Sequence, residues 1–239
     1  MKRFAFAFLA LIASSASAGV RVPDWVQSAA SQEVPKYSDK IHGAGLVDDY
    51  VVTVNANGEI RTVHRAAWKI LGTAGRDLGL VAIPFGGDTK LKHVTAWSIA
   101  SSGQQYQVGD RDAVETAAFD GELYADQKVK VLKIPAADPG SVLAYEYETI
   151  AKPYAMQDVW RFQSEIPMKR ARYSITMPEG WEYESRFVNG TAKEPQRLGS
   201  TITWEINDVG GCVALEVESE GHGIEVLHGM FRSFETSPT

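Results

Sequence analysis

The sequence predicts an all-β protein, namely an antiparallel β-sandwich of about ten strands with at most short helices. The main evidence lies in residues 138–206, where apolar and polar side chains alternate along several short segments. Such alternation is typical of antiparallel strands that are buried on one face only. The clearest segments are 143–149, 170–177, 181–187 and 202–206. Turn-forming residues recur every ~8–12 residues, as expected for a sandwich or a barrel.

The N-terminus has the pattern of a cleavable signal peptide. A basic start, Lys2-Arg3, precedes the apolar run 4–13, and the small residues 16–18 fit the cleavage rule. The alternative is an uncleaved membrane anchor, but an apolar run of about ten residues is too short for the ~20 that a spanning helix needs. We therefore expect cleavage after Ala18 and a periplasmic or secreted protein that is not an integral membrane protein.

Length, charge and cysteine content narrow the possible classes. The chain has 239 residues, which suits one large all-β domain or two small ones. Its formal net charge is −6, so the basic patch of a nucleic-acid-binding protein is missing. Cys212 is the single cysteine, so no internal disulfide is expected and the core must supply the stability.

A short helix is predicted in the N-terminal extension. It begins near Asp24 and ends by Pro35, and the polar residues 37–45 are expected to form a linker. The predicted division of the chain is a signal peptide (1–18), an N-terminal extension (19–45), a β-sandwich domain (46–208) and a C-terminal tail or truncated linker (209–239).

Paired strands are expected to follow the extension. Residues 46–71 predict a β-hairpin because Asn55-Ala56-Asn57-Gly58 favours a tight turn, and a helix over 65–71 is the alternative. Further strands are predicted at 81–85, 91–99, 106–108 and 128–134. A loop is expected at 110–123. The change of phase at Val131-Leu132 predicts a bulge or an edge twist.

The central alternating stretch begins at a turn. Asp138-Pro139-Gly140 favours one because proline presets φ and glycine accepts positive φ. In 143–149, Leu and Tyr side chains share one face while Glu146 and Glu148 occupy the other. Residues 154–166 predict one more strand, which ends before a proline.

Cys212 is the first candidate for chemistry. A nucleophilic cysteine needs a base, usually a histidine, and His222 and His228 follow it in the sequence. A thiol-enzyme core needs further elements that carry the base and its partner, and residues 213–239 are too few to form them. We expect Cys212 to be an unreactive thiol and the chain to have no catalytic residues.

Neither a metal nor a cofactor is expected. The five histidines form no pair at ligand spacing, and the sequence has no HExxH pattern and no cysteine pair.

The aromatic residues offer a second kind of site. They could stack on a sugar, but most alternate with charged residues and are expected to fill the core. The tryptophans in question are Trp68, Trp97, Trp160, Trp181 and Trp204. Trp25 and Tyr37 lie outside the alternating segments and are the candidate ligand-binding residues.

Two carboxylate pairs, Glu146/Glu148 and Glu182/Glu184, could perform acid–base chemistry across a cleft. Their i, i+2 spacing instead favours solvated strand faces. We expect basic residues on neighbouring strands to balance them. The candidates for this are Lys169, Arg170 and Arg172.

Several short motifs occur in an order that resembles one bacterial family. They are Gly58, Arg65, Ile70-Leu71-Gly72, Trp97 to Gly103, Pro139-Gly140 with Tyr145, Trp160-Phe162, Pro167 and Arg172. The chain resembles, over 46–208, the domain of unknown function that precedes transglutaminase-like domains in exported proteins. This resemblance implies a β-sandwich of unknown biochemical role. Members of that family usually continue into a Cys-His-Asp domain, and we expect this domain to be missing here, through natural architecture or a truncated reading frame.

Three functional hypotheses follow from these patterns. The first is a non-catalytic exported β-sandwich module with a binding or accessory role towards a protein or glycan partner, normally next to a transglutaminase-like domain. The second is a carbohydrate-binding module. The third is a truncated thiol enzyme that uses Cys212.

Overall fold

The computed structural model describes residues 20–117, 126–154, 157–188, 193–210 and 226–233. These residues are mostly β-structure, which confirms the predicted class. No helix within these ranges is long and apolar enough to cross a membrane.

The regular elements, in chain order, are as follows. The helix is α1 (Asp24–Ala30), and short 3-10 turns lie at Thr73–Gly79 and Asp110–Asp112. The strands are β1 (Gly43–Val54), β2 (Ile60–Ile70), β3 (Leu80–Gly86), β4 (Thr89–Ile99), β5 (Gln105–Gly109), β6 (Val114–Ala117), β7 (Gln127–Lys133), β8 (Val142–Ala151), β9 (Gln157–Arg161), β10 (Met168–Thr176), β11 (Trp181–Val188), β12 (Gln196–Leu198), β13 (Thr201–Val209) and β14 (Val226–Ser233).

The strands form two sheets. The large sheet has 11 strands in the order β12-β13-β10-β1-β2-β8-β4-β3-β7-β6, with β5 also paired to β4. The small sheet has 3 strands in the order β11-β14-β9. The prediction of an antiparallel protein needs correction, because β1 and β10 are parallel, with Tyr50 opposite Tyr173. The large sheet is therefore mixed. A long connection between β1 and β10 allows this parallel pairing, whereas a short hairpin would not.

Both predicted tight turns are confirmed. β1 and β2 are joined through Asn55–Gly58, where Gly58 has a φ of 81°. The alternative helix at 65–71 is wrong, because β2 continues to Ile70 and pairs with β8 along its length. At the turn before β8, Gly140 has a φ of 90° and the Ser141 N–H donates to the Asp138 carbonyl at 3.0 Å.

The N-terminal extension covers part of the large sheet. α1 lies where the sequence predicted a helix, and its Val26 and Ala29 are buried against Val47, Ala67 and Ala144 of the sheet. The predicted linker 37–45 overlaps β1, whose ladder with β2 already begins at Gly43.

Three other expectations differ from the structure. Part of the predicted loop 110–123 forms β6, which pairs with β7. No bulge occurs at Val131-Leu132, since β7 pairs with β3 without a shift from Gln127 to Lys133. The change of phase reflects burial on both faces of β7, since Val129 and Val131 are half-buried on one face and Leu132 is buried on the other. β14 lies within the predicted tail 209–239, where it fills the space between β9 and β11.

Buried residues form three hydrophobic clusters. The first joins β1, β10 and β13 to β9 of the small sheet, with Trp204 and Phe162 among its members. The second lies among β2, β3, β4, β7 and β8. The third lies under α1 on the opposite face of the sheet. Four tryptophans are buried in these clusters, which are Trp68, Trp97, Trp160 and Trp204.

Gly75 provides a test of the packing between the first 3-10 turn and the start of β1. The His42 carbonyl accepts hydrogen bonds from the N–H groups of Leu71 at 2.9 Å and Gly72 at 3.2 Å, so it cannot move freely. A Cβ at position 75 would overlap that carbonyl oxygen. We expect Gly75→Ala to lower the free energy of unfolding by about 2 kcal/mol or more, measured by urea denaturation. Gly210→Ala is the control, because its added Cβ meets no described atom within 4 Å. Equal losses in the two variants would contradict this account.

Candidate functional site

A group of polar and aromatic side chains lies where the two sheets meet. We call it the His64 cluster, and its members are Asp48, Tyr50, His64, Tyr145, Tyr147, Asp158, Trp160 and Tyr173. Strand register brings most of them together: Tyr50 of β1 is opposite His64 of β2 and also opposite Tyr173 of β10. His64 is in turn opposite Tyr147 of β8. β9 of the small sheet adds Asp158 and Trp160.

His64 is the centre of a hydrogen-bond network. Its Nε2 lies 2.6 Å from Asp48 Oδ1, and its Nδ1 lies 3.1 Å from the Tyr147 hydroxyl. A carboxylate accepts hydrogen bonds, so Nε2–H is the donor to Asp48. Burial, with the charges of Asp48 and Asp158, raises the pKa of Tyr147 to about 12. The Tyr147 hydroxyl therefore stays protonated at neutral pH and lies within hydrogen-bond distance of His64 Nδ1.

Four aromatic rings surround the His64 imidazole. The centroids of Tyr145 and Tyr147 lie 5.2 Å from it, and those of Tyr50 and Trp160 lie 5.4 Å from it. The interplanar angles run from 67° to 88°, which are edge-to-face arrangements. Tyr50 also stacks on Trp160 with centroids 4.5 Å apart. These contacts hold the imidazole in one orientation.

Asp158 is held by neutral donors. The Tyr173 hydroxyl donates to its Oδ2 at 3.0 Å, and the Val159 N–H donates to its Oδ1 at 2.8 Å. Burial raises the pKa of Asp158, and the two hydrogen bonds oppose that rise only in part. Among the described residues, no ion pair involves this carboxylate.

Several members of the cluster remain partly accessible to solvent where the two sheets meet, and this partly accessible part of the cluster is called the seam. The side chain of Asp48 is 18% exposed. Tyr50, Tyr145, Tyr147 and Asp158 are half-buried. Carboxylate and phenol groups with perturbed pKa values that remain accessible are typical of functional sites.

The chemistry of the cluster favours recognition. The described partners of His64 are a carboxylate and two phenols, so the imidazole does not activate a serine, threonine or cysteine there. Across the described part of the chain, no group of three or more His, Cys, Asp and Glu side chains could hold a metal ion. Hydrogen bonding and contact with aromatic rings are what these residues offer a ligand.

The two predicted ligand-binding residues lie outside the His64 cluster. Trp25 is half-buried, packs edge-on against Trp97 at 5.9 Å and lies 5.9 Å from the Arg65 guanidinium. Tyr37 is also half-buried, and burial together with the charge of Asp208 raises its pKa. Cys212, with His222, lies outside the described residues.

The carboxylate pair Glu146/Glu148 is balanced by residues other than those expected. Arg65 donates to Glu146 and Arg61 donates to Glu148, each at 2.5 Å. Arg170 and Arg172 instead share Asp49, each at 2.9 Å. Lys169 donates to a backbone carbonyl, that of Glu33. The expectation failed because β2 is the neighbour of β8, whereas β10 lies beyond both β2 and β1. Glu182 and Glu184 are exposed on β11.

The sequence contained only a partial signal for the His64 cluster. Tyr145 and Tyr147 share a strand face at period 2, and so do Asp48 and Tyr50 of β1. Bringing these pairs onto His64 requires the order β1-β2-β8, and only β1 and β2 are joined by a local turn.

Tyr147→Phe tests the hydrogen bond to His64. The substitution keeps the ring and removes the hydroxyl that satisfies Nδ1, so we expect the free energy of unfolding to fall by about 1 kcal/mol. Tyr145→Phe is the matched control, because its hydroxyl lies 3.4 Å from the same nitrogen. Chemical denaturation of both variants measures the difference, and a larger loss for Tyr145→Phe would refute this assignment.

Asp158→Asn tests how much the ionised, partly enclosed carboxylate of Asp158 destabilises the folded protein. Its raised native pKa means that the folded state holds the proton more tightly than the unfolded chain does. The protonated Asp158 carboxyl therefore makes its full contribution to the free energy of unfolding below the unfolded-state pKa. This contribution is lost as pH rises through the native pKa. We expect Asp158→Asn to melt at a higher temperature than wild type at pH 7, and the gap to close towards ~pH 3. Asp39→Asn, on an exposed loop, should show no such gap. A gap that is independent of pH would contradict the expectation.

A solved structure shares this fold at low sequence identity, and others match less closely. A candidate protease from Parabacteroides distasonis matches with a TM-score of 0.68 and 17% identity, over 79% of this chain and 40% of that one. At this identity the likeness shows the fold alone. The M1 zinc metallopeptidase of Deinococcus radiodurans matches with a TM-score of 0.40 and 12% identity, over 79% of this chain and 42% of its own. Yeast LTA4 hydrolase, in complex with bestatin, matches with a TM-score of 0.40 and 9% identity, over 91% of this chain and 34% of its own. The chain thus spans less than half the length of each of these proteins.

The search of curated proteins gives no match. A family model for the domain of unknown function DUF3857 matches residues 56–210, which is more than half of the chain. This match confirms the resemblance to a family of domains of unknown function that the motif order indicated. The chain belongs to the DUF3857 family of domains of unknown function.

Proposed function

We propose that this chain is an exported, non-catalytic module that binds a partner, in an accessory role beside a transglutaminase-like domain. The observation that carries the proposal is the closed hydrogen-bond network of the His64 cluster. Its imidazole is held between Asp48 and Tyr147 at 2.6 and 3.1 Å, while carboxylates and phenols line a seam open to solvent.

This arrangement suits binding better than bond cleavage for a physical reason. Catalytic groups need a reacting partner within hydrogen-bond reach. In the described part of the chain, the ring nitrogens of His64 contact only side chains that already satisfy them. Rigid aromatic side chains supply contact area at low conformational-entropy cost, which favours recognition.

Export and the sandwich arrangement belong to the same proposal. The basic start, short apolar run and small residues before Gly19 support export. The first hydrophobic cluster supports a face-to-face sandwich, since Trp160 and Phe162 pack there with Tyr173 and Trp204 of the large sheet. The motif order supports the place beside a transglutaminase-like domain.

A carbohydrate-binding module is the second candidate function. Tyr145 and Tyr147 are stacked 5.9 Å apart at 13° and are half-buried, so they present parallel rings near two carboxylates. Aromatic faces beside hydrogen-bond acceptors are suited to the hydroxyl groups of a sugar.

Arrays of peptides and of glycans test the proposal. The purified full chain is applied to the peptide array and to the glycan array. Mass spectrometry of the bound probes then shows whether their masses have changed. We expect peptides to bind with unchanged mass, Asp48→Asn to weaken binding about tenfold, and Cys212→Ser and Glu205→Gln to bind as wild type does. Loss of about tenfold corresponds to one hydrogen-bonded group of the site.

The other outcomes decide against the proposal in different ways. Cleaved or cross-linked peptides, or loss of function in Cys212→Ser, would establish the thiol enzyme instead. Binding to glycans alone would establish the carbohydrate-binding module. Binding to neither array would refute both kinds of module.

A further inference from the structure

From the charges in the His64 cluster, we infer that its seam binds an organic cation, namely a primary ammonium or guanidinium group such as a lysine or arginine side chain carries. This inference rests on the proposed binding function and names the chemistry of the ligand. It does not depend on whether the cation belongs to a peptide or to a small amine.

The charges of the cluster are unequal. It contains two carboxylates, Asp48 and Asp158, and a single basic group, the imidazole of His64. His64 contacts Asp48, whereas Asp158 is held by a phenol and a backbone N–H. A site with more negative than positive groups, in a partly enclosed seam, attracts a cation.

Asp158 differs from the other enclosed carboxylates of the sheet. Asp49, which is 7% exposed, receives hydrogen bonds from Arg170 and Arg172. Glu146 and Glu148 each receive one from an arginine of β2. Enclosed charges are normally paired in this way, because removing an ion from water is costly. Among the side chains that the structure describes, which exclude those of β14, Asp158 is the enclosed carboxylate without such a partner, and an incoming cation would supply it.

The aromatic rings around Asp158 add a second attraction for a cation. The positive charge of an ammonium or guanidinium group is attracted to the faces of aromatic rings, and this attraction strengthens where water is excluded. The Tyr173 hydroxyl lies 3.0 Å from Asp158 Oδ2, and the Tyr173 ring stacks on the half-buried Tyr50 with centroids 5.7 Å apart. The carboxylate and the rings are therefore close enough to act on one ligand.

Titrations of the full chain with matched probes test the inference. N-acetyl-lysine methylamide is compared with N-acetyl-norleucine methylamide, which has a similar chain without the charge, by NMR at pH 7 and low salt. We expect the lysine probe to shift tryptophan and backbone signals of the cluster and the norleucine probe to bind at least tenfold more weakly. Pentylamine and a lysine-containing pentapeptide distinguish a small amine from a peptide.

Variants identify the residue responsible. Asp158→Asn keeps the shape of the side chain and should weaken binding of the lysine probe at least tenfold. Asp39→Asn, an exposed loop carboxylate, should leave it unchanged. A thermal melt confirms that each variant is folded. If Asp158→Asn does not fold, Asp48→Asn is used in its place.

The results separate this inference from the proposed function. Equal binding of the lysine and norleucine probes, or equal effects of the Asp158 and Asp39 variants, would overturn cation binding. Peptides that bind on the array regardless of their charge would leave the binding module in place and refute only the cation. Lysine binding that requires Asp158 would support both.

Discussion

β1 is held on one side by β2 and on the other by β10, and the two halves of the large sheet are joined only through this strand in the described chain. β2, β8 and β4 lie on one side, while β10, β13 and β12 lie on the other. Asp49 secures the parallel side, since it accepts hydrogen bonds from both Arg170 and Arg172 at 2.9 Å. A buried carboxylate with two guanidinium partners disfavours any register that would separate them.

The His64 cluster depends on the same strand. Asp48 and Tyr50 project from β1 on the face opposite Asp49, because neighbouring residues of a strand alternate between faces. They bring His64 of β2 close to Tyr173 of β10, so the network crosses from one half of the sheet to the other. The small sheet then packs over this junction through Trp160. One strand thus carries a structural ion pair on one face and the candidate site on the other.

Local features of the fold were predictable from sequence, and long-range features were not. Alternation in the sequence identified β8, β10, β11 and β13. β11 and β13 alternate between more and less exposed residues, whereas β8 and β10 lie within the sheet and contain no exposed residue. The turns at 55–58 and 138–140 were predictable because proline presets φ, whereas glycine and asparagine accept the positive φ that tight turns require. The sequence analysis missed the parallel partner of β1 and the position of β14. Both depend on pairing between segments that are distant in the chain, and such pairing has no signal in the local sequence pattern. The arginine partners of Glu146 and Glu148 were misassigned for that reason.

The candidate site shows the same division. Trp25 and Tyr37 stood out because they interrupt the alternating pattern, yet Trp25 serves to pack α1 onto the sheet. His64 looked unremarkable as a single histidine within a hairpin strand. Its role became visible only when Tyr147 and Asp48 were placed beside it by neighbouring strands. A site assembled across several strands has no contiguous motif by which sequence could reveal it.

The parallel pairing of β1 with β10 also constrains the order in which the chain acquires its structure. More than a hundred residues separate the two strands, and closing so long a loop is entropically costly before any contact repays it. The hairpin of β1 and β2 can form early, but one side of β1 then keeps its backbone groups unpaired until β10 arrives. A chain with such late closure folds slowly compared with one built from local contacts, and its nascent form exposes a strand edge throughout that interval.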